Sequence, residues 1–85
     1  MEYLIVAYRS RSHTVKFHEF LNRIGVGSQI INTPKEAGVG CGLSVKVKKS
    51  DFLLVKRAVN HLNLNSFAGF FISSVLGGKR IVKSI

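Results

Sequence analysis

The only cysteine in the 85-residue chain, Cys41, stands between Gly40 and Gly42. A thiol flanked by two residues without side chains has an uncovered backbone and little bulk to hide it. As a thiolate it is a nucleophile, and cationic neighbours or a helix N-terminus lower a thiol's pKa below its ordinary value of about 8.5. Arg9, Arg11, His13 and Lys35 are the side chains that could supply such a field, and the amides of Gly40 and Gly42 could form an anion nest. The residues alone leave two readings open. Cys41 is either an accessible, reactive thiol or a small inert hydrophobe capping the strand that follows it.

Other chemistries find less support. His13 and His18 are five residues apart, a rotation of about 140° on a helix, so they do not converge. One cysteine cannot build a thiolate-rich zinc site, so no metal and no cofactor are expected. Gly38-x-Gly40-x-Gly42 alternates glycine without the spacing of a dinucleotide loop. The four acids, Glu2, Glu19, Glu36 and Asp51, are scattered. Without a carboxylate pair or a Ser-His-Asp order, the sequence points to a carrier or binding module rather than a complete enzyme.

Thirteen Lys and Arg against four Asp and Glu give a formal charge of +9. That imbalance favours anionic partners such as nucleic acid, phosphates or acidic proteins, and equally keeps a small apolar domain soluble. A lone cysteine excludes an internal disulfide framework and suits a reducing cytosol. The start, Met1-Glu2-Tyr3, lacks the basic region and apolar run of a signal peptide. No apolar run approaches the ~20 residues of a membrane span. A cytoplasmic protein with no membrane partner is therefore expected.

The elements that must position these residues follow from periodicity. Tyr3 to Tyr8 reads as a first strand buried on at least one face. Ser10 or Ser12 can cap a helix whose Phe17, Phe20, Leu21 and Ile24 share one face, with Gly25 as its left-handed terminator. Gln29 to Asn32 reads as a second strand. Leu43, Val45 and Val47 alternate with Ser44, Lys46 and Lys48 in a third. Ser50-Asp51 opens a second helix whose buried stripe is Phe52, Val55, Val59 and Leu62. Phe67 to Val75 is a fourth strand, and Leu76-Gly77-Gly78-Lys79 turns into a last one around Arg80–Ile85.

The order β-α-β-β-α-β with an appended hairpin strand implies an α+β, ferredoxin-like domain over residues 1–85. In its 4-1-3-2 sheet, the loop after the first strand and the loop between the second and third share one end. Arg9, Arg11, His13 and the first helical turn should meet the Cys41 loop there, with the Asn63–Ser66 turn beside them.

Thr33-Pro34-Lys35-Glu36 followed by Cys41-Gly42-Leu43, behind a strand and a Ser-rich turn into a helix, resembles the small bacterial selenium/sulfur carrier protein-like family. The likeness runs from Tyr3 to about Ile72. Ala37-Gly38-Val39-Gly40 stands where members of that family often carry serines. The resemblance implies that Cys41 carries sulfur or selenium and that a donor or acceptor protein is its partner.

Nucleic-acid binding is the main rival, through an open sheet face bearing Lys46 and Lys48. Its third strand, Leu43 to Val47, has no aromatic residue on which bases could stack. Binding through charge alone would be weak, salt-dependent and indifferent to sequence. A small regulatory dimer holding a metabolite is a third class. A homodimer is expected on any of these readings, because Tyr3, Ile5, Phe67, Phe71 and Ile81 alternate with helix-facing residues and two helices cover only one sheet face.

Overall fold

The computed structural model describes residues 2–38 and 42–85. Its elements are β1 (Glu2–Tyr8), α1 (Arg11–Arg23), β2 (Ser28–Asn32), β3 (Leu43–Lys48), α2 (Phe52–Leu62), β4 (Phe67–Leu76) and β5 (Lys79–Ser84), with short 3-10 turns at Lys35–Ala37 and Lys49–Asp51. The strands form one sheet in the order β2-β3-β1-β4-β5, each neighbouring pair antiparallel. The architecture is α+β. Among the described residues, no helix is long and apolar enough to cross a membrane.

Each helix is delimited by local chemistry. Ser10 Oγ accepts the His13 amide at 3.3 Å and caps α1. At the other end, Gly25 adopts φ 82°. Its amide reaches Asn22 O at 3.2 Å and that of Val26 reaches Leu21 O at 2.9 Å, a Schellman closure that a residue with a Cβ would strain. Asn63 ends α2 in the left-handed region, at φ 49°. Phe17 and Leu21 of α1 and Val55, Ala58 and Val59 of α2 pack on Leu4, Val6 and Tyr8 of β1. Each large apolar side chain so buried contributes about 1.5–3 kcal/mol before the entropy of ordering is counted.

The opposite face of the sheet is where the expectation fails. Ile5 is fully buried and Phe71 is 8% exposed. Their cover comes from the chain itself, because the segment from Thr33 to Gly38 crosses this face as a strap. Ala37 of the strap packs with Ile5, Ala7 and Phe71, joined by Val82 from β5 at the sheet's far edge. Arg80 Nε of β5 stands 3.7 Å from Glu36 Oε2 and latches it there. The strap also explains why Ser44 is fully buried although its strand position reads as solvent-facing. Its hydroxyl finds Thr33 Oγ1 at 2.7 Å.

Two further corrections concern side-chain direction. Phe67 lies on the helix side, packed against that core. The register slips between Ala7 and Tyr8, so that Ala7 pairs with Gly69 and Tyr8 with Phe67. This bulge inserts a residue and keeps the Phe67 and Phe70 rings together at 5.0 Å. Gly69 holds φ 138° within it, a conformation open to glycine. Ile81, paired with Ser74, points with Ile72 toward the helix side, and Val82 takes the strap-facing place. The apolar residues from which a homodimer was argued are thus largely occupied within one chain.

The latch is half-exposed on both partners, so Arg80→Ala should cost less than about 1 kcal/mol of global stability. It should nonetheless speed hydrogen exchange at Ala37 and Gly38, whose amides bond to Pro34 O and Lys35 O. Unchanged exchange at those two amides would show that Ala37 packing holds the strap unaided.

Candidate functional site

The C-terminal ends of β1 and β2 and the N-terminal ends of β3 and β4 gather at one rim, as the pairs Asn32–Leu43, Ala7–Ser44 and Tyr8–Phe67 require. The β2–β3 connection closes at its root. The Thr33 amide donates to Gly42 O at 3.0 Å, which extends the ladder one step beyond Asn32–Leu43. The first turn of α1 abuts the same root, since Thr14 Oγ1 lies 3.4 Å from Leu43 O and 3.1 Å from Ser10 O. The Cys41 and Gly40 expectations lie outside the described residues; their flanks, Gly38 and Gly42, are placed.

The turn after α2 joins the rim through two bonds. The Arg9 amide donates to Ser66 O at 2.8 Å, and His13 Nδ1 shares a 2.6 Å hydrogen bond with Ser66 Oγ. Arg9 and Arg11 are exposed at the entry to α1, His13 is half-buried, and Lys35 is exposed on the strap. Arg9 and Arg11 thus stand at the entry to α1 and Lys35 on the strap, the two elements that adjoin the loop root. A helix N-terminus adds positive potential there from its own unpaired amides. The Asn63–Ser66 turn was expected at this rim, but Thr14 and the Thr33–Ser44 pair were not singled out by sequence. Their signal was topological, because only the sheet order brings residues 33, 44 and 66 together.

Gly42 stands at the loop root, where its carbonyl accepts from the Thr33 amide. It is exposed, its φ lies outside the left-handed region, and among the described residues a Cβ there would meet nothing within 4 Å. Gly38 differs, since it ends the 3-10 turn at φ 66°. The histidines do not converge. His13 is bonded to Ser66, His18 Nδ1 to Ser28 Oγ at 2.7 Å, and the His61 ring stacks on Phe20.

Beneath the rim lies Tyr8, fully buried at the end of β1 between the Phe17, Phe67 and His13 rings. Its hydroxyl has no hydrogen-bond partner among the described residues. Burial pushes the phenol's pKa well above its ordinary value.

A family model described as "Putative Se/S carrier protein-like" matches residues 2–67, and the chain belongs to that family. The match ends at the first residue of β4 and includes the strap and the Cys41 loop. Phe71, Arg80 and Val82, which hold the strap from across the sheet, lie beyond it. No curated protein and no solved structure matches the chain.

The orphaned phenol yields a prediction. Removing a buried hydroxyl that has no partner recovers its desolvation cost, about 1–3 kcal/mol at most, so Tyr8→Phe should be at least as stable as wild type in urea at pH 7. Below the unfolded phenol's pKa of about 10 both states hold the proton, and the full stability is present. Above it the unfolded chain releases the proton while the folded chain keeps it, so stability falls as pH rises. Tyr8→Phe should remove that part of the alkaline loss; a destabilised variant at neutral pH would show that the hydroxyl has a partner.

Proposed function

We propose that the chain is a sulfur or selenium carrier, a single ferredoxin-like domain in which Cys41 bears the cargo. Family membership is the observation that carries this reading, because the matched region includes Thr33-Pro34-Lys35-Glu36 and Cys41-Gly42-Leu43. The geometry of the loop root supports it. A carrier thiol needs an accessible position, a positive surround to hold its anion, and a scaffold that presents it repeatedly in one place. The Thr33–Gly42 bond, the first turn of α1 and the exposed Arg9 and Arg11 supply the scaffold and the surround.

The step is a sulfane transfer. The Cys41 thiolate attacks the outer sulfur of a donor persulfide, R–S–SH. The donor's S–S bond breaks, Cys41–S–SH forms, and the donor leaves as R–S⁻. Charge and sulfur balance without an external oxidant or reductant. Arg9, Arg11, His13 and Lys35 act on the anionic forms by favouring thiolate and persulfide over their protonated states. The partner is thus a protein bearing a persulfide, or the selenium counterpart.

Intact-mass measurement after incubation with a cysteine desulfurase and cysteine tests the proposal. The expected result is an adduct of about +32 Da, the mass of one sulfur, lost on reduction and absent in Cys41→Ser. An unmodified protein under conditions that load a control carrier would overturn the sulfur reading.

A further inference from the structure

At the end of the sheet opposite the Cys41 loop, β1 and β2 begin and β3 finishes around a groove of about 680 Å3. Its walls include Glu2, Tyr3, Gln29, Lys46, Lys48 and Lys49. Cross-strand register puts Tyr3, Gln29, Lys46 and Lys48 on one face of the sheet, the face that the strap covers only farther along. Lys46 Nζ stands 4.3 Å from the centre of the Tyr3 ring. Lys49 is already matched by Glu2, at 2.8 Å, and that contact holds the Glu2 carboxyl below its ordinary value. Among the described residues, Lys46 and Lys48 have no carboxylate partner.

We infer that this groove binds a nucleotide unit, with its phosphate on Lys46 and Lys48 and its base against the Tyr3 ring. Three features point to this class of ligand. Two lysines without counter-charges on a chain of +9 select for an anion. A half-buried aromatic ring in the wall offers the sequence-tolerant stacking surface that single-stranded nucleic-acid sites use, and the Gln29 amide offers both a donor and an acceptor to a base edge. A cation resting on a ring is a weak, exchangeable contact at a half-exposed site, so a phosphate that draws Lys46 away also uncovers the ring for the base.

The neighbourhood of Tyr3 agrees with this. Ser73, paired with it across β1 and β4, is 1% exposed and its hydroxyl has no hydrogen-bond partner among the described residues. The nearby Ser73 hydroxyl, followed by Arg80 and Lys46, holds the Tyr3 phenol below its ordinary value. The ring thus sits in positive potential from two strands. An aromatic residue on the third strand, which sequence reasoning looked for, is not required when β1 places Tyr3 beside Lys46 of β3. An acidic peptide would use the lysines but has no need of the ring.

Amide chemical-shift titration of the full chain with a uridine ten-mer, uridine monophosphate, inorganic phosphate and a polyglutamate peptide tests the assignment. Shifts centred on Tyr3, Gln29 and Lys46 are expected for the ten-mer or the monophosphate. If the monophosphate binds as tightly as the ten-mer the site serves free nucleotides, and if only the ten-mer binds it serves a strand. Tyr3→Leu should weaken binding about tenfold or more, whereas Tyr3→Phe, which keeps the ring, should stay near wild type. Lys46→Met and Lys48→Met should each lower the salt slope of ten-mer binding by about 0.7. Should Tyr3→Leu fail to fold, Lys46→Met decides. Equal shifts from phosphate or polyglutamate, or affinity indifferent to Tyr3 and Lys46, would overturn the assignment.

Discussion

Leu4, Ile5, Val6, Ala7 and Tyr8 of the central strand are all withdrawn completely from water. Alternate residues of a strand point to opposite faces, so five consecutive buried positions require two covers. The helices supply one. The other cannot come from a third α-helix, because the described residues hold only two, and it is supplied by the β2–β3 connection. Much of what is distinctive in this structure follows from that demand. The strap leaves β2 at one edge and passes over β3, β1 and β4 to reach Val82 and Arg80 of β5.

The segment that meets this structural need also lies within the region that the family model matches. Thr33 closes the loop root against Gly42 and Ser44, Pro34 is buried at the start of the crossing, and Glu36 reaches Arg80. Residues that fill the sheet's second face thus belong to the same connection that closes against Gly42. The clamp on the far side belongs to β4 and β5 beyond the matched region. In this chain the C-terminal hairpin is thereby part of what holds the strap, since Phe71, Val82 and Arg80 come from it.

Much of this was legible in the sequence. The helical stripes announced both helices, because Phe17 with Leu21 and Val55 with Val59 recur at helical spacing around one core. Gly25 marked the end of α1, and the order of elements foretold that Arg9, His13 and Ser66 would share a rim. What was not legible depends on contacts between distant segments. Ser44 looks solvent-facing by alternation and is buried only because a remote loop lies over it. Phe67 looks misdirected until the bulge at Ala7–Tyr8 restores it to the helix side. Nothing local in Lys35-Glu36-Ala37 says that it will travel across a sheet. The candidate site was half legible for the same reason, with the Asn63–Ser66 turn expected at the rim and Thr14 and Ser44 found only through contacts between distant segments.

On the proposed carrier reading, this scaffold presents Cys41 as an accessible thiol activated by charge. The pH dependence of Cys41 alkylation by iodoacetamide in the folded chain tests it most directly. A rate comparable to that of a free peptide thiol, with a midpoint below about 8.5 that rises in Arg11→Ala, is the predicted result. A thiol that reacts only after denaturant unfolds the protein would contradict it.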